Sequence, residues 1–132
     1  MKTILLFGTF DGIHEGHRFC FSQARKRANH LIVAVAPDAV VRELKGRPPK
    51  EKLIERVEAL KREPLVNEVI VGDQRLGSYG VLVLVKPDLV GVGYDQHALA
   101  EHLRAWASVH MPSLQIIRME SFQPDTYKSS KL

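Results

Sequence analysis

Five short apolar runs recur along this chain, at 3–7, 30–37, 67–72, 88–93 and 114–119, with helix-like patterns between them. The first, "TILLF", contains no charged residue, as suits a parallel strand buried on both faces. Parallel neighbours need a crossover of about a dozen residues, usually helical. The spacing predicts helices over 16–28, 50–63 and 96–110, and a short one over 38–44 that Asp38 can cap. In the second of these, Leu53, Ile54, Val57 and Leu60 share one face. The segment 78–86, "SYGVLVLVK", has the β-branched content of a strand. A strand there would leave no crossover before 88–93, so a short helix is expected instead. The pattern predicts an α/β architecture: a Rossmann-like open parallel five-stranded sheet with helices on both faces. Its 132 residues suit a single domain, 1–132.

In such sheets ligands bind beyond the carboxyl ends of the strands. There the first run delivers "FGTFDGIHEGHRFC", residues 7–20, with two histidines three apart among glycines. A helix starting near Gly16 and His17 points unpaired N–H groups and its positive dipole end at this loop. Gly8, Gly12 and Gly16 permit close backbone approach, and histidines donate hydrogen bonds to phosphate oxygens. Neither the P-loop nor G-x-G-x-x-G is present. Two rival readings stand beside a phosphate cradle. One is a metal held by His14, His17 and Cys20, although no HExxH partner exists. The other is an ordinary loop with two histidines.

The charge narrows the partner. Between Arg42 and Arg62 lie eight basic and four acidic residues, an excess equal to the whole net charge of +4. A local excess argues for one anionic ligand rather than a nucleic-acid coat, and no aromatic residues interleave it. No run is long enough to span a membrane. A single cysteine, Cys20, permits no internal disulfide and suits a cytoplasmic protein.

The stretch "GTFDGIHEGH" (8–17) resembles the HxGH signature of the nucleotidyltransferase superfamily. His14, where pantetheine-phosphate adenylyltransferases usually carry Thr, is similar to the cytidylyltransferase-like group. "ELKGRPP" (43–49), "ERVEALK" (55–61) and "KPDLVGVGYDQ" (86–96) look most like archaeal FAD synthetase, an FMN adenylyltransferase family. "TYKSSKL" (126–132) is similar to the family's hydroxyl-rich phosphate-binding stretch, with Ser129 and Ser130 on the hydroxyl positions. This reading displaces that of "SKL" as a peroxisomal address. The family's arginine has no counterpart; Gln123 stands near its place.

The resemblance implies transfer of a nucleoside monophosphate from ATP or CTP to a phosphorylated small-molecule acceptor, with release of pyrophosphate. ATP and FMN giving FAD come first. A CTP-dependent cytidylyltransferase acting on glycerol 3-phosphate or a sugar phosphate is the alternative. It implies catalytic roles for His14, His17, Lys45 and Arg56, the last two neutralising the β and γ phosphates with help from Arg47. Nucleotide binding falls to Gly8, Thr9, Phe10, Asp11, His14, Gly16, His17, Gly93, Asp95, Ser129 and Ser130. Mg2+ accompanies the nucleotide, with no direct protein ligand except potentially Asp11. Relatives commonly form homodimers, for which Trp106 or Phe122 could serve. A different class, a non-catalytic nucleotide-binding module, is motivated by the missing arginine and the chain's stop just after Ser130.

The same residues have blander readings. Alone, Arg56 reads as a surface residue of an amphipathic helix and Asp95 as a helix cap. Ser129 and Ser130 read as a frayed end, and His97, His102 and His110 as solvated.

Overall fold

The computed structural model describes residues 2–75, 78–93 and 96–120. Five strands alternate with helices: β1 (Thr3–Gly8), α1 (Glu15–Arg27), β2 (His30–Val35), α2 (Asp38–Lys45), α3 (Leu53–Lys61), β3 (Glu68–Val71), α4 (Gly80–Val85), β4 (Leu89–Val92), α5 (His97–His110) and β5 (Gln115–Arg118). All neighbouring pairs are parallel, in the order β3-β2-β1-β4-β5. The chain winds outward from β1 through β2 to β3, then returns to β4 on the other side. The switch point where ligands bind in such sheets therefore lies between β1 and β4.

Strand alternation sorts the core into two layers. Ile4 and Leu6 of β1, with Leu31, Val33 and Val35 of β2, meet Phe21 and Ala24 of α1 and Leu60 of α3. Leu5, Ile32 and Ala34 point the other way, onto Val81 and Leu82 of α4 and Ala100 and Leu103 of α5. Fully burying such a side chain contributes about 1.5–3 kcal/mol, so both faces of β1 and β2 are strongly specified.

The ambiguous segment forms α4. Val81 and Leu82 are buried and Val85 packs against them, whereas Val83 and Leu84 face solvent, a helical rather than alternating pattern. Asp73 makes this possible. Its carboxylate accepts the Ser78 hydroxyl at 2.5 Å and the amides of Gly80 and Val81, the latter at 3.0 Å. Left-handed residues bound the helix, Tyr79 (φ 52°) before it and Lys86 (φ 52°) after it. The capping of α2 differs from expectation. Pro37, not Asp38, is the N-cap, with no side-chain cap bond, and the Asp38 carboxylate is engaged elsewhere. Among the described residues no helix is long and apolar enough to cross a membrane.

Candidate active site

The loop leaving β1 is shaped by its own rings. Phe10 takes a left-handed conformation (φ 55°) that folds its ring back under the loop, where it is only 7% exposed. Such a conformation costs a non-glycine residue about 1–2 kcal/mol, which burial of the ring offsets. The ring lies 5.3 Å from His17 and 6.0 Å from Phe21, centroid to centroid. Gly8 is required by it, since a Cβ there would sit 2.7 Å from the Phe10 ring. Phe10, among the residues expected to bind nucleotide, packs its ring beneath the histidines.

His14 and His17 cap α1 reciprocally. His14 is the N-cap, and its Nδ1 accepts the Gly16 N–H at 3.0 Å. His17, one turn on, accepts the His14 N–H on its own Nδ1 at 3.2 Å. A backbone amide can only donate, so each neutral ring carries its proton on Nε2. The rings lie 4.0 Å apart, centroid to centroid. Among the described residues neither Nε2–H has a hydrogen-bond partner. The result is two neighbouring donors of fixed tautomer beside the amides of a helix start. Burial, with the nearby His14 ring and the charges of Arg18 and Lys45, pushes His17 down to about 4. It is therefore a neutral donor near pH 7. Gly16 admits this arrangement, because a Cβ there would lie 2.8 Å from His14 Cε1.

A second segment clamps the loop. The Asp11 carboxylate accepts the amides of Lys50 (2.7 Å) and Glu51 (2.8 Å), and Glu51 Oε1 returns a bond to the Gly12 N–H at 3.0 Å. Those amides, above all that of Lys50, with the charges of Arg56 and Lys45, hold the Asp11 carboxyl below its usual range against a desolvation that raises it. Arg56 ties the elements together. Its Nη1 donates to the carbonyls of Thr9 and Ala36, both at 2.8 Å, and its Nε to that of Glu51 at 3.1 Å. Its Nη2 meets Asp38 Oδ1 at 2.5 Å.

Arg56 thus departs from expectation. Its side chain is 0% exposed and all three nitrogens are engaged inside the protein, holding the loops, unlike the exposed cation expected of an amphipathic helix face. Lys45, last residue of α2, is exposed, and its charge reaches both His17 and Asp11. Arg47 is exposed on the loop beyond it. Gly93 follows β4, its N–H donating to Gln96 Oε1 at 2.5 Å. Asp95, Phe122, Gln123, Ser129 and Ser130 lie outside the described residues. Cys20 packs beside the α1 layer of the core, and no group of three His, Cys, Asp or Glu among the described residues is placed to hold a metal. Trp106 is half-buried, between Tyr79 (5.3 Å) and a stacked His110 (4.8 Å).

The sequence reading missed Glu51. Its bond to Gly12 joins residues 39 apart, and no local pattern announces such a contact.

The family model described as cytidylyltransferase-like matches residues 5–131. An FAD synthase of Thermococcus sibiricus is 32% identical over 126 residues, covering 95% of this chain and 85% of that protein. An FAD synthase of Methanopyrus kandleri is 36% identical over 127 residues, covering 92% and 82%. Among solved structures, the lipopolysaccharide core biosynthesis protein of Thermoplasma volcanium superposes with a TM-score of 0.86 at 25% identity, covering 93% of this chain and 99% of that one.

Proposed function

This chain belongs to the cytidylyltransferase-like family, and on that footing we propose that it joins the AMP of ATP to FMN, giving FAD and pyrophosphate. The names of its relatives support the substrates, and the paired Nε2–H donors at the start of α1 carry the chemistry.

The FMN phosphate is already an oxyanion near pH 7, so no general base is needed. One of its oxygens attacks the α-phosphorus in line, the bond from that phosphorus to the bridging oxygen breaks, and pyrophosphate leaves with the electron pair. His14 and His17 donate from Nε2 to the α- and β-phosphate oxygens, where negative charge grows. Neutral donors of fixed tautomer need no reorganisation as the bond breaks. Lys45 supplies positive charge toward the departing pyrophosphate, and the Gly8–Gly12 backbone admits the phosphates closely. Arg56, Asp11 and Glu51 hold that backbone in place.

Magnesium belongs to this reading as part of the substrate, neutralising phosphate charge when bound. The residues present fit an ion held mainly by phosphates and water. Asp11 is partly exposed but already accepts two amides, and among the described residues no protein cage surrounds it. A homodimer in the cytoplasm completes the proposal, and light scattering on the purified protein reads its oligomeric state.

One second reading has support. The family description favours CTP, and the Thermoplasma neighbour, named for lipopolysaccharide core biosynthesis, is in keeping with a sugar phosphate as acceptor. Incubation of ATP or CTP with FMN, glycerol 3-phosphate or a heptose phosphate, read by product mass and pyrophosphate release, decides between them. FAD formed from ATP and FMN is expected. Turnover with CTP alone overturns that reading, and nucleotide binding without any product leaves a non-catalytic module.

A further inference from the structure

An arginine–histidine pair stands apart from the histidine loop. Arg118 ends β5, and its Nη2 lies against the edge of the His97 ring that carries both nitrogens. His97 is the first residue of α5, and both side chains are exposed. Among the described residues no carboxylate lies within salt-bridge distance of either. Arg118 Nη2 thus donates to the His97 ring, and its remaining N–H groups stand at the carboxyl edge of the sheet with no carboxylate partner among the described residues.

Their position is informative. Arg118 pairs in register with Val92, and Gly91 pairs with Leu6, so Arg118 lies at the carboxyl end of the sheet, level with the last residues of β1. It stands two strands from β1, roughly 10 Å across the sheet. Lys45 lies on the opposite side of β1, at the end of the helix that follows β2. A triphosphate running from the histidines toward Lys45 directs its pyrophosphate toward β2. In-line displacement then requires the attacking oxygen to arrive from the β4–β5 side. His97 and Arg118 occupy that side.

We propose that His97 and Arg118 hold the acceptor's phosphate and present its oxygen opposite the departing pyrophosphate, an inference that rests on the nucleotidyl-transfer reading above. The planar guanidinium suits two phosphate oxygens at once, and the imidazole adds a third donor. The flavin ring is not part of this subsite. It recognises a phosphomonoester, whichever alcohol bears it.

The test compares wild type with Arg118→Met, Arg118→Lys and His97→Gln. Steady-state kinetics with ATP and FMN are measured beside the binding of FMN and of riboflavin, which lacks the phosphate. For Arg118→Met, KM for FMN should rise about tenfold or more, the scale of losing a charged hydrogen-bond partner. KM for ATP should stay within about twofold and riboflavin binding should match wild type, with Arg118→Lys falling between. The subsite is overturned if FMN kinetics are unchanged, if the loss falls on ATP, or if riboflavin binding weakens as much as FMN binding. Should Arg118→Met unfold, His97→Gln decides by the same criteria with a smaller rise. A wild type that forms no FAD overturns the FMN reading, and the subsite is then judged by the same split with CTP and glycerol 3-phosphate. A wild type that turns over no phosphomonoester overturns both.

Discussion

Arg56 Nη1 donates at 2.8 Å to the carbonyl of Thr9, a residue 47 positions earlier, and so fastens α3 beneath the loop that carries the histidines. The same guanidinium holds Ala36 and Asp38, so one side chain sets the spacing between the exits of β1 and β2.

Arg56→Met should therefore act first on stability. Removing one member of a buried charge pair costs about 3–5 kcal/mol, and the carbonyls of Thr9, Ala36 and Glu51 lose a donor besides. Half-exposed Asp38 can rehydrate, which places the expected loss at the low end, about 3 kcal/mol. Urea unfolding measures it. A variant of unchanged stability with a sharply raised KM for ATP would restore the phosphate-neutralising role expected from sequence.

Gly16→Ala should separate stability from turnover. Alanine is the better helix former by about 1 kcal/mol, so the melting temperature should hold or change slightly. The added methyl would lie 2.8 Å from His14 Cε1 and must displace that ring. A displacement of that kind costs up to about a hundredfold in rate. Wild-type kcat/KM in this variant would show that the position of His14 does not matter.

His17 offers a finer dissection. His17→Asn keeps an acceptor near Nδ1 for the His14 amide but removes the Nε2–H, so it should stay folded while kcat falls on the order of a hundredfold. His17→Gln places an N–H nearer the Nε2 position and should retain more activity than Asn. Equal loss in both would mean that the ring itself, not the donor, is required.

The depressed basicity of His17 makes stability pH-dependent. Its folded value is about 4, below the ordinary 6.5. Between those limits the unfolded chain binds the extra proton, so stability rises with pH through this window and falls as pH drops from about 6.5 toward 4. Urea midpoints across that range should show the slope in wild type and a shallower one in His17→Gln. Parallel slopes would mean that His17 is not the group responsible.

Much of the fold is legible in the order of residues because its causes are short-range. A strand buried on both faces must be apolar throughout, and "TILLF" announces β1 without reference to any other segment. The helix at α4 was reachable only through the crossover requirement, since its own β-branched residues argue for a strand; Asp73, seven residues before Gly80, supplies its capping. The histidine pair was equally legible, as its reciprocal bonds span only two or three residues.

The remainder depends on groups that meet only after the chain has folded. The burial of the Phe10 ring is not legible until folding brings Phe21 beside it. Arg56 reads as a surface cation until the exits of β1 and β2 close around it, and Asp38 as a cap until that cation claims it. By itself the sequence determined the layering of the sheet and the setting of the histidine pair at the start of α1, because burial periodicity and helix capping act within a few residues. Tertiary structure decided which charges stay exposed at the carboxyl edge of the sheet and which are consumed in holding the loops. A buried guanidinium must satisfy its donors from whatever carbonyls lie nearest, and that proximity is not written in any local stretch of chain.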